Sequence, residues 1–263
     1  MRSIRNSRYF PLAIEALVEL APEIEAVDSN ALVTIPTLDN VLDELGTLPV
    51  GTLFLGMAED GLPLLLNLHD SVPGSILIFG DQGAGKTSIL KMIAEVITRM
   101  FDPRSLQFGV ITPDTNEWNG YDRVEHCAGI IPIFENSAVD FIVSLNAWAH
   151  ANRSRQSVVL LLDGFDKVTN WNNNTLDELR WLLMRGPSRH VWPIVSLNAD
   201  KLNETQNLVS YFRTYIYGSI KDKQVPNIIT NSENEWLDEL TPGTQFTMKE
   251  GNNWLRFWIP RLE

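Results

Sequence analysis

Ser75-Ile76-Leu77-Ile78-Phe79-Gly80-Asp81-Gln82-Gly83-Ala84-Gly85-Lys86-Thr87 is the most informative stretch of this 263-residue chain. Its first half is a short apolar run of the kind that forms a buried strand. Its second half has the spacing GxxxxGK[ST], and an amphipathic pattern from Thr87 to about Met100 follows, so the order is strand, glycine loop, helix. Glycines there let backbone N–H groups converge on phosphate oxygens, and the helix N-terminus adds its positive dipole end. Lys86 would neutralise the β- and γ-phosphates, and Thr87 would ligate Mg²⁺. The residues expected to hold the nucleotide are Gly80, Asp81, Gln82, Gly83, Ala84, Gly85, Lys86, Thr87 and Ser88, with ATP and Mg²⁺ as the implied ligands. The alternative, a glycine turn with a stray lysine, does not account for the flanking strand and helix.

Downstream, strand and helix patterns alternate. Strands are expected at Leu106–Ile111, Val158–Leu162 and Ile194–Leu197, with helices over residues 137–151 (Asn136 or Ser137 as cap), 175–184 and 202–211. Such alternation implies an α/β fold, a mostly parallel sheet with helices on both faces. Upstream, Thr52–Gly56 and Pro63–Leu68 flank the turn dipeptide Asp60-Gly61 and read as a β-hairpin. Thr244–Met248 and Trp254–Trp258 read as a second hairpin near the C-terminus. Two short helices are expected before the first hairpin, over residues 11–20 and 38–45. The expected division is an acidic helical segment, residues 1–50, and a nucleotide-binding domain, residues 51–263.

Asp163 emerges from the apolar run Val158–Leu162, at the strand end where ligands bind in parallel sheets. An acid there is the Walker B pattern and would hold Mg²⁺ through its water shell. Hydrolytic enzymes of this kind place Glu directly after that Asp to orient the attacking water; this chain has Gly164. Asp166 is the nearest substitute. Asn198, after Leu197, is placed to sense the γ-phosphate or position water, although Asn also serves turns. Candidates for an arginine acting in trans are Arg185 and Arg189 in one loop and Arg213 in another. Each has the alternative reading of a surface cation.

The net charge is −12, and between Arg8 and Lys86 there is no Lys or Arg while twelve carboxylates fall in that stretch. An acidic front segment repels polyanions and suits either solubility or docking of a basic partner protein. A single cysteine, Cys127, excludes an intramolecular disulfide, and four scattered histidines offer no structural metal pattern. No signal-peptide core and no apolar run near the roughly 20 residues of a spanning helix is present, so the expectation is a cytoplasmic protein without membrane insertion. The eight tryptophans are expected in the core or in subunit interfaces.

Taken together, these features resemble the FtsK/HerA superfamily of P-loop translocases and related conjugation and packaging ATPases. The likeness spans about Gly51 to Glu263. Leu55–Pro63 resembles the hairpin those proteins place before the P-loop, and Val110-Ile111-Thr112-Pro113-Asp114 their second strand. Leu162-Asp163-Gly164-Phe165 is similar to their Asp-Glu-Phe, with Gly for Glu, and Ile194–Asn198 to the strand that normally ends in Gln. Leu240-Thr241-Pro242-Gly243-Thr244-Gln245-Phe246 resembles their closing return. The resemblance implies a RecA-like core and an ATP-driven motor, a hexameric homo-oligomer that moves DNA or protein through its channel. The other reading is a nucleotide-dependent assembly module with weak or absent hydrolysis, which Gly164 and the acidic segment suggest.

Overall fold

The computed structural model describes residues 35–154, 156–222, 236–250 and 253–262. Alternation along the central strand sets the layers. In β3 (Ile76–Gly80), Leu77 and Phe79 enter one apolar cluster while Ile76 and Ile78 enter another on the opposite face. Each of these four side chains is at most 2% exposed, and burial of that kind contributes about 1.5–3 kcal/mol per side chain. A strand so buried on both faces must be central, and it is.

One sheet of ten strands runs in the order β2-β1-β10-β9-β8-β3-β7-β6-β4-β5. The remaining strands are β1 (Thr52–Ala58), β2 (Pro63–Asn67), β4 (Leu106–Thr112), β5 (Cys127–Pro132), β6 (Ser157–Leu162), β7 (Val191–Asn198), β8 (Thr214–Tyr217), β9 (Gln245–Glu250) and β10 (Asn253–Trp258). From β8 to β5 every pairing is parallel; β9, β10, β1 and β2 pair antiparallel. Helices α1 (Leu38–Leu45) and α2 (Lys86–Met100) cover one face. The other face carries α3 (Asn136–Ala151), α4 (Asn173–Arg185) and α5 (Leu202–Val209). The α/β fold with helices on both faces and two antiparallel hairpins is therefore present.

Details depart from expectation in several places. β5 and β8 are additional strands: β5 is a half-exposed edge strand interrupted by Gly129 and closed by Pro132, and β8 is only four residues long, so neither has a readable period. Helix α3 starts after Glu135, with no side-chain cap; Ser137 donates to the Glu135 carboxylate instead of capping. Helix α5 stops at Val209, two residues early. The expected helix over residues 11–20 and the tip of the last hairpin, residues 251–252, lie outside the described residues. Helix α1 packs on the sheet through buried Leu38 and Val41, and its N-terminus is tied to the C-terminal strand region by Leu38 N–Arg261 O and Arg261 N–Pro36 O, both 3.0 Å. Trp192 is fully buried, while Trp171, Trp181, Trp236, Trp254 and Trp258 pack half-buried against the core.

Candidate nucleotide-binding site

The C-terminal ends of β3, β7, β6 and β4 meet at one edge of the parallel block, where ligands bind in such sheets. Gly80 closes β3 opposite Asn198 of β7, Leu162 closes β6 with Asp163 next in the chain, and Thr112 closes β4. Between them lies a cavity of about 460 Å³ lined by Gln82, Gly83, Gly85, Lys86, Thr87 and Ser88 from the glycine loop. Asp163, Asp166 and Asn198 line it from the other strands. Gly80, Asp81 and Ala84 complete the loop behind that wall.

Gly85 explains the glycine spacing. It is left-handed (φ 92°), and a β-carbon there would fall 2.4 Å from Gly243 Cα. Gly243 also donates its N–H to Ala84 O at 3.0 Å, so the Leu240–Phe246 return clamps the loop from outside. On the other side Asp81 N donates to Ser219 O (3.0 Å), and Lys221 N donates to the Asp81 carboxylate (2.9 Å). Helix α2 opens on Gly85 with no side-chain cap. The amides of Lys86, Thr87 and Ser88 therefore have no intrahelical acceptor, and they sit at the positive end of a 15-residue helix. Such an end favours anions.

Lys86 is buried, 8% exposed, and donates to Gly80 O (2.9 Å) and Asp81 O (2.6 Å). Burial pushes its ammonium below the ordinary lysine pKa, against the raising fields of Asp163, Asp81, Asp200 and Asp166. A buried ammonium held by two neutral carbonyls gains most from an anionic partner.

Across the cavity Thr87 Oγ1 donates to Asp163 Oδ2 at 2.8 Å. This bond commits the hydroxyl hydrogen to the carboxylate and leaves the oxygen lone pairs free for a cation. Asp163 is itself an acceptor, suited to the hydrogens of metal-bound water. Hard oxygens with room for water and phosphate match what Mg²⁺ requires, so the residues present fit that ion. Ser196 on β7 donates to the other Asp163 oxygen, Oδ1, and accepts from Gly164 N at 2.9 Å.

Gly164 stands where the water-orienting Glu is expected. Its backbone is left-handed (φ 80°, ψ 57°), a conformation that disfavours side chains. It turns the chain into the 3-10 segment Phe165–Asn170. The turn brings Asp166 into the cavity wall, 4% exposed, with Oδ2 2.7 Å from Lys167 Nζ. Asp166 Oδ1 is buried without a hydrogen-bond partner among the described residues.

Arg185 and Arg213 are brought together, but elsewhere. Arg213 precedes β8, whose first residue pairs with Ile76 at the start of β3, and Arg185 ends α4 before β7 begins. Both line a hollow of about 110 Å³ at the N-terminal edge of the parallel strands, the end opposite the glycine loop. Arg189, just before β7, lies at the same edge.

Glu117 and Lys167 line the cavity from outside every stretch singled out in the sequence, while Ser196 and Gly243 lie within such stretches without having been named as site residues. Ser196 had a signal, since it precedes Asn198 by two and so shares its strand face. Glu117 reaches the cavity from the 3-10 turn after β4, and it pairs with Lys91 of α2 at 3.7 Å.

No protein-family model matches this sequence, and no curated protein matches it. Solved structures do. EccC (ATPases 2 and 3) of Thermomonospora curvata, in complex with a signal sequence peptide, superposes with a TM-score of 0.67 at 15% identity, over 96% of this chain and 47% of that one. The pCW3 conjugation coupling protein TcpA, in a monomer form with ATPγS, gives 0.58 at 15%, over 86% and 69%. B204, the DNA-packaging ATPase of Sulfolobus turreted icosahedral virus, gives 0.54 at 11%, over 73% and 100%. The chain spans 27% to 51% of the length of the EccC and EssC chains it resembles. At these identities the likeness is one of fold, and the neighbours that share the fold of this chain are P-loop ATPases of the FtsK/HerA type.

Proposed function

We propose that this chain binds ATP with Mg²⁺ in the cavity at the glycine loop and hydrolyses it. On this reading, copies assemble into a ring that moves a polymer, DNA or protein. The observation that carries the reading is the Thr87–Asp163 bond, which joins the start of α2 to the end of β6 beside a buried Lys86. Lys86 and the first-turn amides of α2 hold the phosphate charge. Mg²⁺ bound at Thr87 and Asp163 would neutralise charge between the β- and γ-phosphates. The Asp166 carboxylate, in the cavity wall, accepts a hydrogen from the attacking water and orients it. Asn198 offers an amide donor to the same water or to the γ-phosphate. Arg185 and Arg213 stand at the far edge of their own sheet, so a γ-phosphate within their reach belongs to a neighbouring copy. The neighbours named for conjugation, DNA packaging and a signal peptide support a polymer substrate. The acidic front segment suits a basic partner protein, and an ATP-dependent role suits the cytoplasm.

Gly164 favours a second reading, in which ATP occupancy sets the assembly state and hydrolysis is slow. Phosphate release by the purified protein, with and without DNA, measured beside light scattering with and without ATP, separates the two. Turnover above a Lys86→Ala control supports the motor. Absence of turnover in both conditions contradicts it, and an ATP-dependent change in oligomer size would then favour assembly.

A further inference from the structure

We propose that Ser196 is a positioning residue: it aims the Asp163 carboxylate and so sets how strongly Mg²⁺ supports ATP binding. The inference rests on the ATP·Mg²⁺ reading of the cavity. Ser196 lies in β7, between β3 and β6, and is 1% exposed. Its single hydrogen goes to Asp163 Oδ1, and its oxygen accepts the Gly164 amide at 2.9 Å. The hydroxyl is thereby engaged both as donor and as acceptor.

Asp163 needs such a partner. The terminal torsion of an aspartate is broad, so one hydrogen bond leaves the carboxylate plane free to swing. The backbone bond from Asp163 N to Ile111 O (2.8 Å) fixes the main chain and leaves the side chain untouched. Among the described residues only Thr87 on Oδ2 and Ser196 on Oδ1 hold the carboxylate. Two bonds on two oxygens define its plane, and Thr87 would itself be the other oxygen to hold the metal. Among the described residues Ser196 is thus the second group that fixes the carboxylate, with its hydrogen already committed to Asp163 Oδ1. Groups in that position typically change metal affinity 10–100-fold when removed.

The same hydroxyl holds the amide of Gly164, whose left-handed turn leads into Asp166. Ser196 also shares its strand face with Asn198. Ser196 therefore bonds Asp163 and the amide of Gly164 directly, two residues along the strand from Asn198.

The test uses a fluorescent ATP analogue, with binding followed by anisotropy across a Mg²⁺ titration on the full chain. Three variants are compared with wild type: Ser196→Ala, Ser196→Thr and Ser196→Val. Thr and Val have the same shape, and only Thr keeps the hydroxyl. Ser196→Val and Ser196→Ala are expected to need about 10-fold more Mg²⁺ for half-maximal binding. Their affinity without Mg²⁺ should stay within about 3-fold of wild type, and Ser196→Thr should keep the lower Mg²⁺ requirement. If Thr and Val variants share one Mg²⁺ midpoint, the inference is overturned. Loss of Mg²⁺-free binding in Val but not Thr also overturns it, because the hydroxyl would then hold the loop and not the metal-facing group. A wild type whose binding ignores Mg²⁺ overturns the ATP·Mg²⁺ reading itself, and this inference with it.

Discussion

The loop from Gly80 to Thr87 presents mainly backbone to the cavity, whereas the loop from Asp163 to Lys167 presents side chains. In the first loop the geometry depends on what residues lack. Gly85 is packed against Gly243, and any β-carbon there would collide with backbone. In the second loop Gly164 has ordinary room, since a β-carbon would meet Pro113 at 3.6 Å, and only its left-handed backbone asks for glycine. The side chains presented there are Asp163, which accepts hydrogen bonds from Thr87 and Ser196, and Asp166, which pairs with Lys167. A backbone-built site needs few residue types at fixed spacing. A side-chain-built site depends on partners from other strands.

Two substitutions probe that difference. Asp166→Ala removes a carboxylate and leaves the glycine loop intact, so kcat should fall about 100-fold while ATP affinity changes less than about 3-fold. Steady-state phosphate release beside a binding isotherm reads both. Unchanged turnover would remove Asp166 from the reaction and point to Glu117 or Asp114, the other unassigned carboxylates in the cavity wall. Gly164→Ala should cost about 1–2 kcal/mol of backbone strain and lower Tm by about 2–8 °C. A thermal melt with unchanged Tm would show that the left-handed turn is not needed.

The same difference explains how far reading the chain succeeds. The glycine loop, its strand and its helix follow from local chemistry, because periodicity, Gly and Lys all lie within about 25 consecutive residues. Asp163 follows from the apolar run before it. For Ser196 only the strand face follows, from its spacing to Asn198; its bond to a carboxylate 33 positions away in the chain does not. Lys167 and Glu117 reach the cavity by turns, which carry no period. The location of Arg185 and Arg213 is a property of topology: only once β8 is seen beside β3 does Arg213 fall at the edge opposite the glycine loop. β8 itself is too short to stand out, and β5 is an edge strand with one face half open.

The most direct measurement is a calorimetric titration of ATP with Mg²⁺ into the wild type beside Lys86→Ala. Wild type should bind about one ATP per chain. Removing a buried ammonium that would donate to the phosphate oxygens of bound ATP should cost about 4 kcal/mol, an affinity loss of about 1,000-fold. No binding by the wild type, or equal affinity in the two proteins, would contradict the nucleotide site at Gly80–Thr87.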